Sequence, residues 1–286
     1  MFENMAIFDS PGAASDGAAS EGAAVDSARL DSARLDGIAL EGAGPRRLIL
    51  VRHGESMGNV AREAAESSGS ERIDIDQRDP DVPLSDLGRD QAVALGRWLA
   101  ELPESDRPTE VWSSPYVRAR QTAAEALAAA GLPLPIGTDE RLRDRELGVL
   151  DLLTSAGVRN RFPEEAQRRR WLGKLYYRPP GGESWADVAL RLRSFIGDLP
   201  RVGSGGRALV VCHDAIILLF RYVLEHLDED GLFALARAGS IRNASVTVLE
   251  LQPDGWHAVI QNYDDYLARF GAAPAVHPGG QEGLHG

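Results

Sequence analysis

Arg47-Leu48-Ile49-Leu50-Val51-Arg52-His53-Gly54 is a short apolar run that ends on a histidine, and Arg207-Ala208-Leu209-Val210-Val211-Cys212-His213-Asp214 repeats the pattern much later in the chain. Continuous apolar runs of this length mark parallel strands buried on both faces. In open sheets of that kind, ligands sit just beyond the carboxyl ends of the strands, where helices begin. The two imidazoles are therefore expected to face one pocket. The first is flanked by Arg52 and by Gly54-Glu55-Ser56, where the backbone can turn close to an anion and open a helix whose N–H groups point at it. The pattern predicts a phosphate site.

Outward from these strands, strand-like and helix-like segments alternate across residues 45–270, which predicts one α/β domain with a mostly parallel central sheet and helices on both faces. Residues 66–84 read as a polar loop rich in acids, among them Asp74, Asp76, Asp79 and Asp81. Ser85 is expected to cap a helix whose Leu87, Leu95, Trp98, Leu99 and Leu102 recur at helical spacing. A strand near 110–112 leads into Ser113-Ser114-Pro115, with Ser114 read as an N-cap, Pro115 as the first helical residue and Gly131 as the stop. Residues 139–182 are arginine-rich and read as less regular. Further helices are expected over 184–199 and 215–227, and strands near 245–251 and 256–260.

The flanks differ in composition. Residues 1–44 are rich in Ala, Gly, Ser and Asp, with too little large apolar surface to offset ordering entropy, and are expected to be a disordered arm. Eight acids and two arginines within residues 1–45 account for much of the formal net charge of −12. Residues 271–286 read as a flexible tail in which His277 and His285 are solvated. The acidic balance argues against a nucleic-acid partner. No apolar run approaches the ~20 residues of a membrane span. A secretory signal is not recognisable at the amino terminus, so a cytoplasmic protein is expected. Cys212, the single cysteine, excludes an internal disulfide framework and reads as a small buried hydrophobe inside its strand.

The strand-end residues suggest phosphoryl chemistry. Arginine forks match phosphate oxygens in pairs, so Arg52 and Arg118 are candidate phosphate ligands. A neutral imidazole attacks phosphorus without a separate base, which makes His53 the candidate nucleophile. His213 can donate a hydrogen bond to the equatorial oxygens, and the leaving alkoxide needs a proton from a carboxylic acid. A metal site built from His53, His213 and Asp214 is disfavoured because two adjacent arginines repel a cation. No cofactor is expected.

Five ordered blocks then carry a resemblance: Arg52-His53-Gly54-Glu55-Ser56-Met57-Gly58-Asn59, Pro83-Leu84-Ser85-Asp86-Leu87-Gly88, Ser113-Ser114-Pro115-Tyr116-Val117-Arg118, Gly182-Glu183-Ser184 and Val211-Cys212-His213. Together they resemble the histidine phosphatase superfamily, in its phosphoglycerate mutase-like branch. The resemblance implies a three-layer α/β/α fold and a phosphorylated His53. It assigns Arg52, Asn59, Arg118 and His213 to the phosphate pocket. Between Gly148 and Ser184 the chain is most similar to the bisphosphatase half of the fructose-2,6-bisphosphate enzymes. That similarity implies substrate contacts from Arg170, Lys174 and Glu183.

The departures from the pattern are specific. The family's general acid is usually a glutamate four residues before the glycine matching Gly148, and here the position holds Asp144. Glu146 lies nearby but is expected to point the other way. The residue after the second histidine is Asp214, and in the acid-phosphatase and phytase branch a His-Asp pair supplies the proton donor from that position. Asp144 and Asp214 therefore both remain candidates for the acid, with Asp214 otherwise a substrate contact. Leu218 stands where the fructose-2,6-bisphosphatases carry a substrate-binding arginine and Ser155 replaces a tyrosine, which argues against fructose 2,6-bisphosphate. The run Arg168-Arg169-Arg170-Trp171 fits either a solvated helix face or a substrate lid. Three functions follow: a phosphomonoesterase acting on a small phosphorylated metabolite, a phosphoglycerate-type mutase, or a non-catalytic phosphate-ligand sensor.

Overall fold

The computed structural model describes residues 44–199 and 206–275. The expected arm over 1–44 lies outside the described residues except for Gly44, and so does the expected tail over 271–286 except for residues 271–275.

The first half of the chain runs β1 (Arg47–Arg52), α1 (Met57–Ser67), α2 (Asp86–Glu101), β2 (Glu110–Ser113), α3 (Val117–Ala130) and β3 (Ile136–Thr138). The second half runs α4 (Ser155–Arg161), α5 (Pro163–Tyr176), α6 (Trp185–Asp198), β4 (Arg207–Cys212), α7 (Asp214–Leu224), α8 (Glu229–Ala238), β5 (Val246–Gln252), β6 (Gly255–Tyr263) and α9 (Tyr266–Arg269). Six strands form one sheet in the order β3-β2-β4-β1-β5-β6. The four strands β1 to β4 are parallel to one another, and β5 runs antiparallel to both β1 and β6. The α/β/α class is as expected.

The two histidine-bearing strands are neighbours, paired from Arg47 with Arg207 to Arg52 with Cys212. Alternation along each strand divides the core into two layers. Leu48, Leu50, Ala208, Val210 and Cys212 face a cluster containing Trp185, Leu192, Phe195 and Phe220 of α6 and α7. Ile49, Val51, Leu209 and Val211 face Leu95, Trp98, Leu99 and Ala123 of α2 and α3 on the other side. A strand buried on both faces has no polar face to show, hence the unbroken apolar runs. Cys212 is fully buried, and its burial pushes the thiol pKa well up.

Ser85 caps α2 through its side chain, accepting from the Gly88 N–H at 3.0 Å. Gly131, in the left-handed region at φ 65°, ends α3. Two expectations need correction. The less regular region over 139–182 holds two helices that the sequence reading does not place, where Thr154 caps α4 and Pro163 opens α5. Ser114 is not the cap of α3: the helix begins two residues after Pro115, and its N-cap, Tyr116, is extended and makes no side-chain cap. The Ser114 hydroxyl is directed elsewhere.

Candidate active site

The carboxyl ends of β1 and β4 open into a cleft of about 220 Å³. His53 and His213 follow the strands directly, with ring centroids 5.2 Å apart and edge-to-face. His53 places Nδ1 2.7 Å from the Gly54 carbonyl. Only an Nδ1–H can donate there, so Nε2 carries the lone pair. That nitrogen accepts from Arg118 Nε at 3.2 Å. Burial, reinforced by Arg118, His213 and Arg52, holds the His53 pKa well below 6.5. The imidazole is neutral, as a nucleophile must be.

His213 is likewise held far below 6.5 by burial, then by Arg118, Arg52 and Arg191. Its Nε2 lies 2.9 Å from Ser114 Oγ, while the Tyr116 N–H donates to the same oxygen at 3.3 Å. We assign the His213 proton to Nδ1, where the Asp144 acceptor oxygen 3.3 Å away favours it, and the Ser114 hydroxyl hydrogen to Nε2. Asp144 Oδ2 approaches that Nδ1 at 3.3 Å but lies off the N–H direction, so Nδ1 has no aligned partner among the described residues. A buried imidazole N–H without a partner can be completed by a ligand oxygen.

The carboxylates separate by position. Asp144 Oδ2 is 3.3 Å from Arg118 Nη2 and 3.3 Å from His213 Nδ1. Asp214 also lines the cleft, and its Oδ1 accepts from the Ala215 N–H at the start of α7, as Asp144 Oδ1 accepts from the Arg145 N–H. Glu146 lines the cleft too and accepts from the Tyr116 hydroxyl at 3.1 Å, contrary to the expectation that it would point away. The strict alternation of an extended strand fails here because residues 144–147 lie between two 3₁₀ turns, Glu140–Leu142 and Gly148–Leu150.

Arg52, Asn59 and Lys174 line the same cleft. Arg52 Nη1 donates to the Ile241 carbonyl at 2.5 Å. Asn59 Oδ1 accepts from the Ser56 N–H at 3.0 Å and from Asn243 Nδ2 at 3.2 Å. Asn243, which no motif flagged, also donates to the His53 carbonyl at 3.1 Å and so ties the β1 end to α1. Lys174 sits 4.3 Å over the Trp185 ring.

Two predicted contacts do not reach the cleft. Arg170 is exposed on α5 beside Trp171, itself 87% exposed. Residues four apart share a helix face only if the helix is continuous, and Gly173 (φ 74°, ψ 161°) breaks α5 between Arg170 and Lys174. Glu183 instead takes Arg191 Nε at 3.0 Å, Arg143 Nη2 at 2.5 Å and the Glu146 N–H at 3.2 Å. It braces the segment carrying Asp144 from behind.

The N–H groups of the turn after β1 do not form the expected backbone anion cradle. The N–H groups of Gly54, Glu55, Ser56 and Met57 donate to Thr122 Oγ1, Gln91 Oε1, Asn59 Oδ1 and the Pro83 carbonyl. Gly54 has a different purpose: a Cβ there would lie 2.5 Å from the Gly88 carbonyl, and one on Gly88 would lie 1.9 Å from the Glu55 carbonyl. The two glycines let α2 close directly on the loop after β1. Holding an anion therefore falls mainly to side chains.

A profile of the histidine phosphatase superfamily (branch 1) matches residues 48–264. The chain belongs to this superfamily. The 2,3-bisphosphoglycerate-dependent phosphoglycerate mutase 2 of Gloeobacter violaceus is 33% identical over 186 residues, covering 64% of this chain and 77% of the mutase. The 6-phosphofructo-2-kinase/fructose-2,6-bisphosphatase 3 of Rattus norvegicus is 33% identical over 187 residues, 65% of this chain but only 29% of that enzyme. Among solved structures, the mycobacterial glucosyl-3-phosphoglycerate phosphatase is 29% identical at a TM-score of 0.59, over 77% of this chain and 99% of the other.

Proposed function

We propose that this superfamily member is a phosphomonoesterase that hydrolyses a small phosphorylated metabolite, a sugar phosphate or phosphoglycerate-like ester, through a phosphohistidine on His53. The observation that carries the reading is the neutral His53 imidazole, with its Nε2 lone pair turned to Arg118 and a second neutral imidazole 5.2 Å away. Nε2 attacks phosphorus while the Nδ1–H to Gly54 steadies the emerging imidazolium. Arg52, Arg118 and the His213 Nδ1–H stabilise the charge spread over the equatorial oxygens. The Asp144 carboxyl protonates the departing alkoxide and, in the second half-reaction, accepts a proton from the attacking water. The products are the free alcohol and inorganic phosphate. Each of the two carboxylates accepts from the N–H of the residue after it, and Asp144 is favoured over Asp214 because its other oxygen stands 3.3 Å from both Arg118 Nη2 and His213 Nδ1.

The cleft offers five basic and five acidic side chains among the described residues, and Leu218 contributes an apolar patch. That balance fits one phosphoryl group on a hydroxyl-bearing remainder better than a bisphosphate. The mutase homologues support a second reading, a phosphoglycerate-type mutase that returns the phosphoryl group to substrate. Release of inorganic phosphate from a panel of sugar monophosphates, 3-phosphoglycerate, glucosyl-3-phosphoglycerate and fructose 2,6-bisphosphate tests both. Hydrolysis that is abolished in His53→Ala, with acid-labile label trapped on the wild type, is expected. Isomerised phosphoglycerate without phosphate release would favour the mutase, and acid-stable label would exclude a phosphohistidine.

A further inference from the structure

Each of the five N–H groups of the Arg118 guanidinium is engaged. Nε donates to His53 Nε2 at 3.2 Å, and Nη1 donates to the Asp79 carbonyl at 2.7 Å and to Asp79 Oδ1 at 2.9 Å. Nη2 donates to Asp79 Oδ2 at 3.2 Å and to Asp144 Oδ2 at 3.3 Å. The two carboxylate oxygens of Asp79 therefore sit on the fork that would grip two phosphoryl oxygens, since guanidinium matches carboxylate and phosphate in the same planar geometry. A phosphoryl group and Asp79 cannot hold the fork together.

Asp79 is placed to yield. It begins a short 3₁₀ turn, Asp79–Asp81, at the end of the polar connection after α1, and its side chain is 41% exposed while that of Arg118 is 5% exposed. Its hold is also weakened by its surroundings. Desolvation raises the Asp79 pKa and the Asp144 carboxylate adds to the rise, against the opposing pull of Arg118 and, from α1, Arg62. Resting on the phosphatase reading above, we propose that Asp79 is a displaceable counter-ion: it holds the Arg118 fork in the empty cleft, gives way to the substrate's phosphoryl group, and returns to the fork to drive out inorganic phosphate. It acts through Arg118 as a positioning residue and sets the affinity of the phosphoryl subsite. A subsite of arginines alone would retain the product, and a hydrolase has to release it on every turnover.

The test uses the full chain with Asp79→Asn and Asp79→Ala, reading inorganic phosphate binding by calorimetry and competitive inhibition of ester hydrolysis. Both variants are expected to bind phosphate about 5-fold more tightly, equivalent to about 1 kcal/mol, with KM falling in parallel and kcat not rising. Unchanged or weaker phosphate binding, in variants whose thermal midpoints match the wild type, would overturn the proposal and reduce Asp79 to a brace for the arginine. Arg118→Ala provides the reference. If it binds phosphate as the wild type does, the phosphate-site reading itself fails, whereas loss of binding in Arg118→Ala beside an unchanged Asp79→Asn overturns the counter-ion alone.

Discussion

Replacing Gly88 with alanine perturbs the candidate site without touching any group in the cleft. The added Cβ would stand 1.9 Å from the Glu55 carbonyl oxygen, where ordinary contact begins at 3.4 Å. One backbone must retreat by about 1.5 Å, since both neighbours are main chain and neither can rotate away. Glu55 is two residues from His53, and its N–H is fixed by Gln91 of the same helix. The displacement therefore reaches the nucleophile. A misplacement of about 1 Å costs roughly 100-fold in rate when reacting groups must meet in line. Overpacking of this kind costs about 1–3 kcal/mol of stability, roughly 3–10 °C in a domain of this size. Gly88→Ala is expected to lower kcat about 100-fold in phosphate-release assays while still melting cooperatively. Gly197→Ala, on α6 with open space around it, serves as a control and should melt at the same temperature or slightly above it. Wild-type kcat in Gly88→Ala would refute the claim that the two glycines set the position of the loop after β1.

Three further outcomes are expected. Asp144→Asn should slow esters with poor leaving groups strongly and an activated aryl phosphate little, because a good leaving group needs little protonation; leaving-group dependence confined to Asp214→Asn would transfer the acid role. The depressed pKa values of His53 and His213 leave both rings neutral through pH 6.5, so neither ring's NMR resonances should titrate near 6.5. Because the unfolded chain takes up those protons first, stability should fall as pH drops below about 6.5, and a midpoint at 6.5 for either ring would contradict the burial argument. Ser114→Ala removes the hydroxyl hydrogen-bonded to His213 Nε2 and should cost about 10-fold in kcat with little change in melting temperature; an unaffected kcat would detach Ser114 from the site.

Much of this architecture is written in short-range pattern. Two unbroken apolar runs ending in His53 and His213 encode buried interior strands because burial on both faces leaves no other composition available, and the cap at Ser85 is a local hydrogen bond. What pattern could not supply depends on contacts between distant segments. Ser114 follows β2 in a sequence that resembles a helix cap, yet its hydroxyl is taken by an imidazole 99 residues later. Asp79 is one acid among several in a polar loop, and only the folding of that loop over α3 selects it for Arg118. Arg170 and Lys174 share a face in an ideal helix and part company in this one because a single glycine at positive φ breaks α5. Glu146 joins the cleft because its segment abandons strand geometry.

The central position of β1 and β4 has a consequence for how the protein loses activity. β4 is hydrogen-bonded on both sides, to β2 and β1, and β1 on both sides, to β4 and β5. Strands enclosed in this way open to solvent only with the whole sheet, and their amides exchange at the rate of global unfolding. The two imidazoles are fixed to interior strands of the sheet, while Asp79 and the segment around Asp144 lie outside its strands. The nucleophile should therefore remain assembled until the domain itself melts. Damage short of unfolding should show first as altered phosphate affinity and proton delivery.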